Sequence, residues 1–269
     1  MIFLKLGGSL ITDKKQPQTP RLDVIHRIAN EIAEAFQSTP NMRLLLGHGS
    51  GSFGHFVADK FGTQLGASSQ EEWHGFAQVW AAANQLNRMV VDSLLDIGLP
   101  VVSFPPSASA ISRNNAIEKL AIEPIRYALD AGLIPIVQGD VAFDIKQGST
   151  IISTEQVFEY LASTLKPHLV LLAGIEAGVY QDYPTCEKII DHITEANSQD
   201  FSIEASAAPD VTGGMATKVQ QALSLCRLVE DLEVRIFSGE RMGTIRQALH
   251  GTAVGTLLTS ISKSTESPS

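Results

Sequence analysis

The chain has 269 residues, and its 44% hydrophobic and 18% charged residues are typical of a globular enzyme with a sizeable core. Its formal net charge of −9 argues against binding of nucleic acids, which needs clustered Lys and Arg side chains, but allows a small anionic substrate. The start MIFLKLGGSL is not typical of a signal peptide, and no stretch has the length and hydrophobicity of a membrane span. We therefore expect a cytoplasmic protein with no membrane partner, whose Cys186 and Cys226 are reduced thiols.

Strand and helix patterns alternate along the chain, which predicts a mostly parallel sheet covered by helices on both faces. In chain order, the pattern predicts strand 1–6, helix 22–37, strand 42–46, helix 73–97, strand 100–104, helix 118–131, strand 133–140, a β-hairpin at 141–152 with Gly148 in its turn, helix 154–166 and strand 169–174. Residues 181–209 are polar and irregular, with room for one short helix. The segment 210–218 leads into a helix to about 230, followed by strand EVRIFSG, helix MGTIRQALHG and strand GTLLT.

Three glycine loops lie beside predicted strand ends or helix starts: Gly7-Gly8-Ser9, Gly49-Ser50-Gly51 and Thr212-Gly213-Gly214. Glycine lets the backbone approach an anion closely, and a helix N-terminus presents free N–H groups to it. Lysines accompany two of the loops, namely Lys5, Lys14 and Lys218. Lys5 stands in an apolar strand, where a lysine has to reach solvent or an anion. Three such loops and three cations suit a triphosphate donor that faces a second anionic group.

Each of these features also has a simpler interpretation. Gly49, Gly51 and Gly54 spell G-x-G-x-x-G, the pattern of a nicotinamide dinucleotide site. The acidic residue about 20 positions further on would be Glu71 or Glu72, which precede a helix instead of ending a strand. A Walker A sequence does not occur. Taken singly, Lys14, Lys218 and His55 are more often surface charges or structural side chains, so the combination carries the prediction.

Four segments resemble the amino acid kinase superfamily and are most similar to its isopentenyl phosphate kinases: KLGGSLITDK at 5–14, GHGSGSFGH at 47–55, QGD at 138–140 and DVTGGMATK at 210–218. The resemblance implies an open αβα sandwich, usually a homodimer, that uses ATP and Mg²⁺ to phosphorylate isopentenyl phosphate in isoprenoid biosynthesis. It implies a single domain over 1–260, with an acceptor-binding lobe to about 165 and a nucleotide-binding lobe from 166, before a polar tail at 261–269. A phosphonate kinase of the fosfomycin kinase type and a non-catalytic nucleotide-binding protein remain alternatives.

The resemblance also assigns roles to residues by position. Lys5 would hold the transferring phosphoryl group, Lys14 would stabilise the transition state and His55 would bind the acceptor phosphate. Donor phosphates and nucleotide would be bound by Lys5, Gly7, Gly8, Ser9, Gly51, Gly213, Gly214 and Lys218. The acceptor would be bound by Ser50, Gly51, Gly54, His55 and Thr154. No residue is assigned to a metal.

Three segments depart from the family pattern. Ser50 replaces the middle glycine of a loop that usually reads HGGG, which is compatible with its role if φ at this residue is negative. The expected Ser-Gly-Asp-Asp is Ser-Thr-Glu-Gln at 153–156, so Glu155 would replace the aspartate that organises the lysines. The expected Thr-Asp-Val-Asp-Gly is Gly-Ile-Glu-Ala-Gly at 174–178, which lacks the aspartate that meets the nucleotide.

The helix predicted at 73–97 carries an apolar stripe. Phe76, Val79, Trp80 and Ala83 follow the i, i+3, i+4, i+7 spacing and share one face. Such a stripe is commonly part of the core. We also consider that it walls the hydrocarbon tail of the acceptor, in which case the rings of Phe76 and Trp80 would limit the tail to about five carbons.

Overall fold

The computed structural model describes residues 1–182, 185–198 and 214–260. Its strands are β1 (Ile2–Leu6), β2 (Leu44–His48), β3 (Val101–Ser103), β4 (Ile111–Arg113), β5 (Ala116–Lys119), β6 (Ile134–Gln138), β7 (Asp140–Asp144), β8 (Gly148–Ile152), β9 (Leu169–Gly174), β10 (His192–Thr194), β11 (Glu233–Ser238) and β12 (Thr256–Thr259). Its helices are α1 (Gly8–Ile11), α2 (Leu22–Ser38), α3 (Gly51–Phe61), α4 (Gln70–Leu95), α5 (Glu123–Asp130), α6 (Thr154–Leu165), α7 (Gly214–Leu228) and α8 (Thr244–Leu249).

Eight strands form one sheet in the order β10-β12-β11-β9-β1-β2-β6-β3. All neighbours in it are parallel except β11 and β12. Successive side chains of a strand point to opposite faces, so Leu4 packs under α2, α4 and α8, while Phe3 packs under α5, α6 and α7. The predicted αβα sandwich with a mostly parallel sheet is therefore confirmed.

A second sheet of four strands has the order β5-β4-β7-β8. Strands β7 and β8 pair antiparallel from Asp140 with Ile152 to Asp144 with Gly148, which confirms the hairpin predicted at 141–152. Gly148 has a φ of +86°, a value that favours glycine, and it opens β8. The hairpin leads directly into α6, so it places the start of this helix beside the large sheet.

The helix predicted at 118–131 begins too early. Residues 111–119 form the β4–β5 hairpin instead, and α5 starts only at Glu123. The hairpin turns at Asn114 and Asn115, whose φ values of +51° and +67° are those of a tight two-residue turn. Local helix propensity in this stretch is weak, and strand pairing outweighs it.

Two further elements were missed. The loop predicted at 48–55 continues into α3, which starts at Gly51. Within the polar stretch 181–209, the described part contains strand β10, while 183–184 and 199–209 lie outside the described residues. The predicted tail at 261–269 lies outside them as well. No helix in the described ranges is long and apolar enough to cross a bilayer.

Candidate active site

The carboxyl ends of β1, β2 and β9 open into a cavity of about 550 Å³. In a parallel sheet, the loops after neighbouring strands meet at one crevice, which explains how distant segments converge here. The cavity brings together most of the predicted site residues: Lys5, Gly7, Gly8, Ser9, Lys14, Ser50, Gly51, Gly54, His55, Thr154 and Lys218. Gly214 begins α7, the helix that carries Lys218, and has a φ of +70°. Gly213 lies outside the described residues.

The first two glycine loops pack backbone against backbone. A Cβ atom on Gly8 would lie 2.5 Å from the Gly51 nitrogen, and one on Gly51 would lie 2.8 Å from the Gly8 oxygen. Thr12 joins the loops, because its Oγ1 donates to the Gly8 carbonyl at 2.7 Å and accepts from the Ser52 amide at 3.0 Å. Only glycine allows this approach, which brings the backbones of two loops together at the cavity.

Ser50 fits its position without backbone strain. Its φ of −74° lies in the ordinary right-handed region, and the left-handed residue is Gly51 with a φ of +50°. Gly54 gives the Ser50 side chain room, because a Cβ atom there would collide with the serine hydroxyl. The condition set from the sequence, a negative φ at Ser50, is therefore met.

Lys5 forms an ion pair with Glu155 at the wall of the cavity. The two side chains are only 12% and 9% exposed. Burial alone would raise the pKa of Glu155, but the positive charges of Lys5 and Lys218 outweigh it and hold that pKa below its usual value. The Glu155 carboxylate thus interacts electrostatically with two of the three predicted lysines, which is the arrangement expected of a group that organises them.

The start of α6 fixes Glu155 in this place. Ser153 caps the helix, its Oγ accepting from the Gln156 amide at 3.2 Å, while the Gln156 Oε1 accepts from the Ser153 amide at 2.8 Å. Thr154 Oγ1 donates to the His48 carbonyl at 2.7 Å, which ties the helix start to β2. A carboxylate in the first turn is also favoured by the helix dipole.

His48 was not singled out from the sequence, yet it supports the second glycine loop. The ring is fully buried, with Nδ1 3.1 Å from the Gly49 oxygen and Nε2 3.1 Å from Asn87 Oδ1. Burial lowers the pKa of His48, so the ring is neutral near pH 7. A histidine next to a glycine loop could have been noticed, but its partner Asn87 lies 39 residues away and gives no local signal.

Comparison with known proteins places this arrangement in a family. The model of the amino acid kinase family matches residues 1–238. The chain belongs to the amino acid kinase family. It is 32% identical to isopentenyl phosphate kinase of Methanocaldococcus jannaschii, over 95% of this chain and 97% of that protein, and 34% identical to that of Methanothermobacter thermautotrophicus, over 96% and 99%. A crystal structure of isopentenyl phosphate kinase superposes with a TM-score of 0.81 at 32% identity, covering 96% of this chain and 100% of the other.

Only two of the four side chains in the apolar stripe of α4 line the cavity of this amino acid kinase, and they are not the two rings that we predicted to limit the acceptor tail. Val79 and Ala83 line the cavity, together with Ala58, Ile151 and Ile152. Phe76 instead packs its ring against Trp73 and Phe143, and Trp80 is 46% exposed; among the described lining residues neither is present. Residues at i, i+3 and i+4 spacing cover about a third of the helix circumference. The side chains on one edge of this face can therefore line the cavity while those on the other edge pack elsewhere.

Asp140, the acid of the QGD segment, is buried in the cavity wall of this amino acid kinase. It is 1% exposed, and its carboxylate accepts from the amides of Val141 at 2.9 Å and Ser107 at 3.2 Å. Burial raises the pKa of Asp140 to about 6, because these hydrogen bonds only partly compensate for lost water. The folded protein therefore holds a proton on Asp140 at a pH where the unfolded chain does not.

This shift predicts a pH-dependent loss of stability. The pKa of Asp140 in the folded protein lies above its ordinary value of 3.8. The stabilisation that the protonated Asp140 gives the folded protein is therefore fully present below pH 4 and is lost as pH rises to about 6. Asp140→Asn should therefore gain roughly 2–3 kcal/mol of unfolding free energy relative to wild type between pH 4 and pH 7. Urea unfolding of both proteins at intervals across this range measures the difference.

Asp144→Asn is the control on the same strand. Burial alone would raise the pKa of Asp144, but backbone amides that donate to its carboxylate hold that pKa below its usual value. Its difference from wild type should change with pH in the opposite direction. Parallel stability curves for wild type and Asp140→Asn would contradict the shift inferred for Asp140.

Proposed function

We propose that the chain transfers the γ-phosphoryl group of ATP to isopentenyl phosphate and releases isopentenyl diphosphate and ADP. The observation that carries this proposal is a single cavity whose wall combines Lys5, Lys14, Lys218 and His55 with a group of apolar side chains. Two relatives that are more than 30% identical over nearly their whole length are named isopentenyl phosphate kinases. An alkyl phosphate has the same two parts as the cavity wall, one anionic and one apolar.

Phosphoryl transfer asks the protein mainly for positioning and positive charge. An oxygen of the acceptor phosphate attacks the γ-phosphorus in line with the bond to ADP, which breaks. We assign Lys5 to the transferring group and Lys14 to the charge that develops on it, while Gly7, Gly8 and Ser9 hold the donor phosphates. Gly51 lies between the two substrates. The acceptor is already a phosphate and needs no strong general base.

The nucleotide side of the proposal rests on α7 and the end of β9. Lys218, Ile175 and Glu176 line this part of the cavity, and Gly213 and Gly214 precede Lys218 in the chain. Mg²⁺, which neutralises charge on ATP phosphates, commonly binds through those phosphates and one or two carboxylates. Of the described carboxylates that line the cavity, Glu155 is paired with Lys5 and Asp140 accepts from two backbone amides, so we assign this contribution to Glu176. In the described part of the chain, no group of three or more metal-ligating side chains stands ready to hold the ion alone.

The acceptor side is proposed around His55, with Ser50, Gly54 and Thr154 beside it. A histidine can donate a hydrogen bond to a phosphate monoester and, when protonated, also neutralise part of its charge near pH 7. The alkyl tail would then lie against Val79, Ala83, Ile151 and Ile152. A small polar phosphonate would leave these apolar side chains without a partner, which favours an alkyl phosphate over an acceptor of the fosfomycin type.

A comparison of acceptors tests this proposal. With ATP and Mg²⁺, kcat/KM should be highest for isopentenyl phosphate or its isomer dimethylallyl phosphate and much lower for fosfomycin. A preference for fosfomycin would favour the phosphonate kinase. ATP binding without turnover of any acceptor would favour the non-catalytic nucleotide-binding protein. We further propose a cytoplasmic homodimer, supported by the family resemblance.

The tail wall gives a prediction about acceptor length. Val79→Ala should enlarge the apolar part of the cavity and raise the ratio of kcat/KM for geranyl phosphate to that for isopentenyl phosphate by about tenfold, since each buried CH₂ contributes about 0.8 kcal/mol. Phe76→Ala is the comparison on the same helix: Phe76 packs behind Val79 and Ile151, outside the described cavity lining, and its loss should change the ratio less than Val79→Ala does. A change of this kcat/KM ratio for Phe76→Ala alone would show that Phe76 contacts the acceptor tail, as the sequence predicted, and that Val79 does not.

A further inference from the structure

The tip of the β4–β5 hairpin reaches the cavity through one residue, Asn115. The hairpin belongs to the same small sheet as β7 and β8. Its strand β7 follows β6 directly in the chain, and β6 pairs with β2, the strand that precedes the second glycine loop. Strand β11, which α7 contacts, lies on the opposite side of β1 in the large sheet. Asn115 therefore stands on the side of the cavity where we place the acceptor.

Four hydrogen bonds hold Asn115 in a fixed orientation. Its amide donates to Asp144 Oδ2 at 2.8 Å, and its carbonyl accepts from Gln156 Nε2 at 2.9 Å. The side-chain Oδ1 accepts from Gln147 Nε2 at 2.6 Å and from Thr150 Oγ1 at 2.7 Å. Both lone pairs of Oδ1 are thus used, and the side chain cannot turn over without losing two bonds.

The other half of the side-chain amide, the Nδ2 group, is directed away from these partners. No described residue accepts a hydrogen bond from it, although Asn115 lines the cavity. The four hydrogen bonds thus fix Asn115 in an orientation that leaves the two N–H groups of Nδ2 available at the cavity. Pre-organised donors of this kind are worth most where they meet a charged acceptor.

We propose that Asn115 Nδ2 donates a hydrogen bond to the phosphate of the acceptor substrate. This inference rests on the proposed function and adds a binding residue to it. An alkyl phosphate carries its hydrogen-bond acceptors on the phosphate group alone, so a donor that contacts it has to meet that end. Gln156, which donates to the Asn115 carbonyl, directly follows Glu155 in α6, and Asn115 lines the same cavity as the Lys5–Glu155 pair.

The test is Asn115→Asp, which keeps an oxygen for Gln147 and Thr150 and replaces the N–H groups by a negatively charged oxygen. Aspartate also tolerates the φ of +67°. The KM for isopentenyl phosphate should rise tenfold or more, as expected for loss of a hydrogen bond to a charged group, while the KM for ATP and the melting temperature change little. Asn114→Asp adds the same charge at the neighbouring turn residue, outside the described cavity lining, and should leave both KM values near wild type.

Three results would overturn the inference. An equal rise for both variants would show a general effect of charge, a rise in the KM for ATP would place the donor on the other substrate, and a lower melting temperature with unchanged kinetics would make Asn115 a structural anchor only. If Asn115→Asp does not fold, Asn115→Gly, which removes the side chain without backbone strain, is measured in its place. If wild type prefers another phosphorylated acceptor, the proposed function is wrong, and the same KM comparison with that acceptor decides the role of Asn115.

Discussion

Lys5→Met is expected to lower kcat by about a thousandfold, with a much smaller change in the KM for ATP. Lys5 is the last but one residue of β1, just before the first glycine loop, and its side chain is 12% exposed at the cavity. If it stabilises charge that develops as the phosphoryl group moves, its loss removes an interaction made mainly in the transition state. Steady-state kinetics with isopentenyl phosphate measures both parameters.

Two further variants separate catalysis from folding. Lys5→Met leaves Glu155 buried without its partner, which destabilises the protein, so Lys5→Met/Glu155→Gln removes both charges together and should recover stability but not activity. Lys15→Ala removes an exposed lysine outside the described cavity lining and should behave as wild type. Recovery of kcat in the double variant would show that Lys5 acts only through the fold.

Glu155→Gln is expected to be the most destabilising single change at the site, costing about 3–5 kcal/mol of unfolding free energy, because it leaves Lys5 as an unpaired buried charge. It should lower kcat as well, since the carboxylate also attracts Lys218. Glu155→Asp is the matched variant: it keeps the charge with a shorter side chain and should retain part of both stability and activity. Urea unfolding and steady-state kinetics measure the two effects.

The pH dependence gives a second test of the same pair. The pKa of Glu155 is held below its ordinary value of 4.5, so its contribution to stability is present above that pH and is lost as pH falls through the folded pKa. The difference in unfolding free energy between wild type and Glu155→Gln should therefore shrink below pH 4.5. A difference that stays constant down to pH 2 would contradict the ion pair.

Much of this arrangement was accessible from the sequence because it depends on local signals. A lysine in the apolar strand MIFLKL was expected to reach solvent or an anion, and within the protein it pairs with the carboxylate of Glu155. The glycine loops predicted backbone sites for an anion beside strand ends, and two of these loops, with Gly8 and Gly51, line one cavity. The alternation of strands and helices predicted the parallel sheet that brings these loops to one edge.

What could not be predicted depends on contacts between distant segments. The helix predicted at 118–131 took in the end of β5, because the pairing of β4 with β5 and β7 on either side of the Asn114–Asn115 turn leaves no local signal. His48 owes its lowered pKa, and Asp140 its raised pKa, to burial, which depends on the packing of distant segments around each side chain. The apolar stripe of α4 showed which side chains share a face, but ring contacts with Trp73 and Phe143 place Phe76 outside the described cavity lining, which Val79 joins.

The central claim is that the chain makes a diphosphate from an alkyl phosphate, and ³¹P NMR of the reaction tests it most directly. With ATP, Mg²⁺ and isopentenyl phosphate, we expect the monoester signal to disappear as a pair of diphosphate signals appears, with one ADP formed for each product molecule. Loss of ATP to ADP and inorganic phosphate, with the monoester signal unchanged in the presence of folded enzyme, would contradict the account.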